Sequence, residues 1–445
     1  MSVASLISIR KDIALSENHI LRYITFIVLY FSQGIPEGIT RFAIPAWMAI
    51  NGKSTTEIAG YGAVILIPFS LKILLAPMME RYTFLPMGRR RPWMLFGQFG
   101  IWASLIALSL VPQPLDNIPL ITVIVLILHI FIMFQDIATD SLVIDIVPLN
   151  EQGKANSFMW GSKTVGMSVS LAAVSTMIGL FSFSAAILTM SVSIFLVMFV
   201  PLLLRERKGE KLLPWTRGET SPEAALMHVD SWGTLFKSFG KVIVLRNFIL
   251  TLMTVFLIMT GMNLMNTLLP IFTIQESEWT NIKYSNVYSS FNLAGGILGM
   301  VIGGWFIQRF GTIRLIQTAL VIQITSACIM AIFTGIWTND TYISIFIGIN
   351  CTMLTFLYIG ILALCMQLCW KRISAVQFTF CMTILNLALS AGAALLGFLK
   401  AFMTWQYIFV VFGAMFVVAI VLLRFVNPKK HIEKIAILEN RYING

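Results

Sequence analysis

Six ionisable side chains fall inside stretches of this sequence that are otherwise apolar enough to cross a membrane: Glu37, Arg41, Lys72, Asp136, Asp140 and Lys163. Three are acids, three are bases, and all lie in the first half of the chain. A charge at the centre of a membrane helix costs roughly 2.5–3.5 kcal/mol, so such residues pair, reach water, or mark a path for ions or solutes. Glu37 and Arg41, four apart in "QGIPEGITR", can pair along one helical face beside Gly34 and Pro36. In "QDIATDSLVID", Asp136 and Asp140 share a face, His129 lies seven residues earlier on nearly the same side, and Asp145 points elsewhere, near the membrane surface. Counting about 1.5 Å per residue from the helix ends sets Lys72, Asp140 and Lys163 at similar depths, with Asp136 closer to the midplane. One ion cluster of Asp140, Lys72 and Lys163 is therefore expected. The chemistry open to such a set is proton carriage by Asp136 or Asp140, with Glu37 as a further acid, while Arg41, Lys72 and Lys163 meet anionic groups. The plainer reading, that the charges only zip helices together, is weakened because buried ion pairs stabilise poorly compared with apolar packing.

Neutral polar residues extend the candidate set. Asn156, Trp160 and Lys163 share a face of one helix and offer an amide, a flat stacking surface and a cation, a combination suited to a sugar bearing carboxylates. Asn263 and Asn266 precede Pro270 in a later span and are candidate hydrogen-bonders. Amides between helices are also ordinary glue, and a tryptophan in a span also serves as packing. His129 reads equally as a neutral histidine hydrogen-bonded within a bundle.

The elements that must position these residues follow from composition. The 445 residues are 58% hydrophobic and 11% charged, with a mean hydropathy of +0.85, whereas a soluble domain is about a quarter charged. Windows of roughly 20 apolar residues place twelve spans near 21–50, 58–80, 93–112, 118–147, 154–180, 183–204, 246–274, 284–307, 314–337, 341–369, 373–400 and 404–426. The fold expected is an all-α membrane protein, twelve transmembrane helices in two six-helix bundles. Residues 1–204 form the first bundle, 205–245 a cytoplasmic linker, 246–426 the second bundle and 427–445 a cytoplasmic tail. The N-terminal residues lack the pattern of a removable signal peptide. Of the 31 Lys and Arg, only Lys53, Lys283 and Lys400 fall in outside loops, and only Arg41, Lys72 and Lys163 fall within spans, so the rest place both termini in the cytoplasm. The net charge of +11 is thus a matter of orientation, and nucleic acid is not an expected partner. Membrane lipid, a small-molecule substrate and protons are, and the chain is expected to be monomeric.

In the linker, "RERKGEKLLPWTRGETSPEA" reads as solvated. Trp232, Leu235, Phe236, Phe239, Val242 and Ile243 then fall on one helical face and Lys237 and Lys241 on the other, as in a helix lying on a membrane surface. The five cysteines lie in apolar stretches and read as small hydrophobes. No metal or other cofactor is expected. No Gly-rich nucleotide loop, HExxH, GxSxG or metal-spaced His/Cys cluster accompanies the aspartates, which argues against an enzyme. A sensor built on the same spans would usually carry an appended soluble domain.

The halves echo each other. "APMMERYTFLPMGRRR" follows the second span and "GWFIQRFGTIR" the eighth, aligning Glu80-Arg81 with Gln308-Arg309 and Gly88 with Gly311. Two six-helix halves built as repeats are the architecture of the major facilitator transporters. The first of these loops, with "QDIATDSLVIDIVPLNEQGKA" and "SAVQFTF", resembles stretches of the AmpG-type muropeptide permeases, a major facilitator family to which acetyl-coenzyme A transporters and some siderophore importers are similar. The resemblance implies proton-driven uptake across a bacterial inner membrane, with anhydro-muropeptides as cargo and siderophores or coenzyme A esters as alternatives. It sets Asp136 and Asp140 on the family's acidic pair, and Glu80, Arg81 and Arg89, Arg90 and Arg91 on its loop motif. Glu80 stands where the family's usual aspartate is expected. Mechanically, Arg81 and the three arginines are expected to clamp helix ends by pairing with Glu80, Asp145 or the carbonyl end of a neighbouring helix.

Overall fold

The computed structural model describes residues 14–443. Among these, eleven helices are long and apolar enough to cross a membrane by length and composition. A twelfth long rod, α1, runs through His19–Gly38, a π turn at Ile39–Ala43 and Ile44–Ile50. Its Gln33, Glu37 and Arg41 dilute the hydropathy of a helix whose inner face is polar. The remaining spans are α2 (Thr55–Ile65 and Ile67–Arg81), α3 (Arg91–Ser109), α4 (Ile118–Ile146), α5 (Gln152–Leu180) and α6 (Phe183–Leu203). After the short α7 (Trp232–Ile243) come α8 (Arg246–Glu276), α9 (Asn281–Leu298, continuing to Phe310), α10 (Thr312–Ile332), α11 (Asp340–Gln367), α12 (Ser374–Phe402), α13 (Trp405–Phe425) and a terminal α14 (Pro428–Ile443). The expected twelve-helix all-α fold is what the chain adopts.

Local chemistry sets the helix ends. Asn18 accepts from the Leu21 amide at 3.0 Å, and Ser54 and Glu57 cap each other reciprocally at the start of α2. Pro68 breaks α2 at Leu66. The Phe69 amide turns to Leu66 O, and the Ile65 carbonyl left by the break is taken by His129 Nδ1 at 2.5 Å. The expected ninth span ends early, at Ile332, because Phe333 leaves the helix into a 3₁₀ turn at Thr334–Ile336.

The chain gathers into two compact units. One takes residues up to Pro148, Ser162–Phe236 and Lys371–Thr379, and the other takes Leu149–Gly161, Lys237–Trp370 and from Phe380 onward. The first turns of α5 therefore belong to the second unit, and the first turns of α12 to the first. In the first unit, α3 packs on α4 and α6 around Ile101, Leu105, Ile121, Val125 and Ile187, each inaccessible to solvent. In the second, α10 packs on α13 and α11, and α8 on α13. There α14 is fastened by His431 Nε2 to the Leu368 carbonyl at 2.9 Å and by Glu439, which accepts from Trp370 Nε1.

Residues 205–224, expected to be solvated, are so only in part: Lys208, Trp215, Arg217 and Glu219 are exposed. Glu206, Arg207 and Glu210 are buried. Glu206 accepts from the backbone amides of Arg89 at 2.9 Å, Arg90 at 2.7 Å and Arg91, so this acid satisfies the open amides at the start of α3. The segment is polar because it caps a helix. The helix expected at 232–243 is present as α7, with Leu235 and Val242 buried.

Candidate functional site

Lys72 on α2 is 3% exposed and ion-pairs with Asp136, while its ammonium stands 3.7 Å from Asp140. Both acids sit on one face of α4, as the spacing of four requires. From α1, the Tyr30 hydroxyl donates to Asp140 and the Gln33 amide donates to Asp136. Each carboxylate therefore meets the ammonium and one neutral donor. Tyr30, Gln33 and Glu37 stand at i, i+3 and i+7 on α1, a helical stripe in which only the charged member draws notice in a sequence.

The expected trio of Asp140, Lys72 and Lys163 is split. Lys163 pairs with Glu37 at 2.6 Å, and Glu37 also faces Arg41 at 3.4 Å. The cause is a close approach of α1 and α5 through two glycines. A Cβ on Gly34 would lie 2.3 Å from the Lys163 carbonyl, and one on Gly166 would lie 2.3 Å from the Phe31 carbonyl. That contact delivers the Lys163 side chain to α1. Arg41 is itself partly open, its guanidinium 5.8 Å from the Phe69 ring. His129 takes neither aspartate. Besides Ile65 O, which requires a proton on Nδ1, it shares a 2.9 Å hydrogen bond with Thr40.

Asn156, Trp160 and Lys163 stand at i, i+4 and i+7 of the unbroken helix α5, on one face. Asn156 donates to the Ile359 carbonyl at 2.8 Å and Trp160 stacks on Tyr358 at 4.5 Å. Asn263 donates to the Leu389 carbonyl at 2.6 Å. Asn266 accepts from Asn350 at 3.3 Å, and Asn350 in turn accepts from Gln323 at 3.2 Å. The second unit thus holds a neutral amide network.

A second ionic cluster lies at the ends of α2 and α4. Arg89 reaches Asp145 at 3.2 Å and Glu80 at 2.5 Å, and Arg90 reaches Asp145 at 2.9 Å and Glu80 at 3.0 Å. All four side chains are at most 4% exposed. The 3₁₀ turn Lys371–Ile373 and the first turn of α12 close the ring. Arg89 donates to the Lys371 carbonyl at 2.7 Å and to the Arg372 carbonyl, Ser374 Oγ donates to Asp145 at 2.7 Å, and the Ala375 amide donates to Glu80 at 2.7 Å. Burial and the adjacent Arg90 hold the Arg89 guanidinium below its ordinary value. Burial acts the same way on Arg90, but Asp145 and then Glu80 outweigh it and raise that group. Arg91 turns away to the Pro201 and Leu202 carbonyls that end α6. Arg81 takes no part in the ring: among the described residues it makes no ion pair and lies 5.5 Å from the Tyr82 ring. No group of His, Cys, Asp or Glu able to hold a metal occurs among the described residues.

Comparison with known proteins identifies the family. Residues 26–380 match the family model of the Major Facilitator Superfamily. The anhydromuropeptide permease of Escherichia coli (strain K12) is 26% identical over 144 residues, which are 32% of this chain and 29% of that protein. The match thus spans under a third of that relative's length. A putative transporter, AmpG 3, of Rickettsia prowazekii (strain Madrid E) is 23% identical over 399 residues, covering 87% of this chain and 92% of that one. In fold, the chain is similar to a crystal structure of the Major Facilitator transporter FucP in the outward conformation, with a TM-score of 0.66 at 12% identity over 91% of this chain and 98% of the other. Helices, repeat loops and family match agree: the chain is an integral membrane protein and belongs to the Major Facilitator Superfamily.

Proposed function

We propose that this transporter couples proton entry to the uptake of a polar, anionic organic solute of the anhydro-muropeptide kind, by alternating access across a bacterial inner membrane with both termini cytoplasmic. The observation that carries the reading is Lys72 held between Asp136 and Asp140 inside a membrane-spanning bundle. The cluster is balanced, with Glu37, Asp136 and Asp140 against Arg41, Lys72 and Lys163. A proton on Asp136 or Asp140 leaves one cation in excess, and an anionic substrate restores the balance. At about 6 Å and an effective dielectric near 20, that attraction is worth roughly 3 kcal/mol, or about a hundredfold in affinity. Proton and substrate therefore favour each other's binding, which is the thermodynamic requirement of symport. Arg41, whose side chain is the most open of the three cations, is the first to meet the substrate, with Lys163 and Lys72 behind it. Of the neutral residues expected to bind substrate, Asn156 and Asn263 hold carbonyls, Trp160 stacks on Tyr358 and Asn266 bonds to Asn350.

Glu80, Arg89, Arg90 and Asp145 with the start of α12 form the gate in this reading. Arg91 anchors α3, and opening breaks the Ser374 and Ala375 bonds. Reconstitution in liposomes with labelled anhydro-muropeptide tests the proposal. Uptake is expected only with an inward proton gradient, and Asp136→Asn and Asp140→Asn are expected to lower it at least tenfold. Uptake indifferent to the gradient, or intact in both variants, would overturn the coupling. A folded protein that transports none of this cargo would discard the muropeptide and turn attention to siderophores and coenzyme A esters.

A further inference from the structure

A groove of about 530 Å³ opens on the first unit where the end of α2 meets the start of α3. Its walls include the rings of Tyr82, Phe84, Trp93 and Phe96, and Arg81, Thr83, Pro92 and His228 also line it. Phe96 stands five residues into α3, about 7 Å deeper along the span than Arg91. The groove therefore runs from the end of the helices into the apolar band. Tyr82, Phe84 and Phe96 are exposed along it.

Among the residues that line the groove, Arg81 carries the fixed charge. Arg81 ends α2 and has no acid partner among the described residues, because the adjacent Glu80 is held by Arg89 and Arg90. Burial keeps His228 below its ordinary value and hence neutral at pH 7, and its Nε2 stands 3.6 Å from the exposed carboxylate of Asp230. Trp232, at the start of the amphipathic α7, stands edge-on to Tyr82 at 6.0 Å and stacks on Phe236. Both are exposed, which marks this level as the membrane interface.

From this arrangement we infer that the groove is a binding site for an anionic glycerophospholipid of the leaflet on the side of the arginine ring. The acyl chain lies against Trp93 and Phe96, and the phosphate meets the Arg81 guanidinium. A zwitterionic lipid brings its own cation to Arg81 and is disfavoured. A soluble phosphate has no chain for the aromatic walls. The lipid also touches the gate's support: Thr83, in the groove wall, donates to the Arg89 carbonyl at 2.8 Å.

Quenching of tryptophan fluorescence by brominated lipids tests the site in vesicles of zwitterionic phosphatidylcholine. One series contains brominated phosphatidylglycerol and the other brominated phosphatidylcholine at the same mole fraction, and the difference between wild type and Trp93→Phe isolates Trp93 among the eleven tryptophans. The Trp93 component is expected to be quenched at a roughly fivefold lower fraction of the anionic lipid, the selectivity one interfacial arginine supplies. Arg81→Gln is expected to erase that preference and Arg81→Lys to keep it. Equal quenching by both lipids, a preference surviving in Arg81→Gln, or no quenching of Trp93 because protein covers the groove would each overturn the inference. Displacement by soluble glycerol phosphate would assign the site to free phosphate and overturn it as well.

Discussion

The ammonium of Lys72 pairs with Asp136 and stands 3.7 Å from Asp140. Removing it leaves two buried carboxylates unpaired, and breaking a buried pair from one side costs about 3–5 kcal/mol. Lys72→Met is therefore expected to lower the thermal stability of the purified protein strongly, and Lys72→Met with Asp136→Asn to recover most of the loss. Equal stability of the single and double variants would argue that the pair is not formed. Tyr30 is the clearest residue that sequence reasoning missed. A hydrogen bond to a charged group is worth about 1.5–3 kcal/mol, so Tyr30→Phe is expected to reduce gradient-driven uptake about tenfold while leaving the yield of folded protein unchanged. The acid pair was legible because a carboxylate in a span is conspicuous. Tyr30 and Gln33 were not, because a phenol or an amide carries no such penalty and its role depends on which helix lies opposite. The pairing of Lys163 with Glu37 was missed for a related reason: depth along a helix says nothing about which neighbour the Gly34 and Gly166 contact brings close.

The repeat inferred from two loops is visible in their backbones. Gly88 (φ 101°, ψ 166°) and Gly311 (φ 91°, ψ 158°) adopt the same conformation, one that only glycine enters readily. At Gly88 a Cβ would also lie 2.6 Å from Glu206 Cδ, whereas at Gly311 nothing lies within 4 Å. Gly88→Ala is therefore expected to be the more damaging of the two alanine variants, by a clear margin in melting temperature, and equal effects would remove the Glu206 contact from the account. The capping segment itself was not legible, since a run rich in Lys, Arg and Glu has the same composition whether it is solvated or folded over a helix end. It should respond to pH. Burial, and then the neighbouring Glu206 carboxylate, push Glu210 up to about 7, while Arg207 and Ser221 face it and oppose the shift only in part. The folded segment then holds a proton that the unfolded one has released above about 4.5. Its stability is expected to fall as pH rises from about 4.5 to about 7 and to level off above. Hydrogen exchange at the Leu212 and Leu213 amides, both bonded to Thr216 Oγ1, should show this loss of protection after correction for intrinsic rates, and Glu210→Gln should abolish it.

At the scale of the molecule, hydropathy located nearly every span, because a helix that crosses lipid must be apolar for about 20 residues whatever it packs against. What hydropathy cannot supply is the exchange of helix ends, by which Lys371–Thr379 joins the first unit and Leu149–Gly161 the second. That exchange rests on side chains far apart in sequence, such as Asp145 with Ser374. If the ring is a gate, Asp145→Asn is expected to raise the alkylation rate of an Ala375→Cys thiol at least tenfold, and an unchanged rate would leave the ring a static brace. The central claim, that a proton on the Lys72, Asp136 and Asp140 cluster travels with an anionic substrate, is tested most directly by proton movement driven by substrate alone. Labelled anhydro-muropeptide would be added outside liposomes that enclose a pH-sensitive dye, with no gradient imposed and the membrane potential clamped at zero. Internal acidification is expected with wild type and none with Asp136→Asn or Asp140→Asn. Substrate entry with no change in internal pH would contradict it.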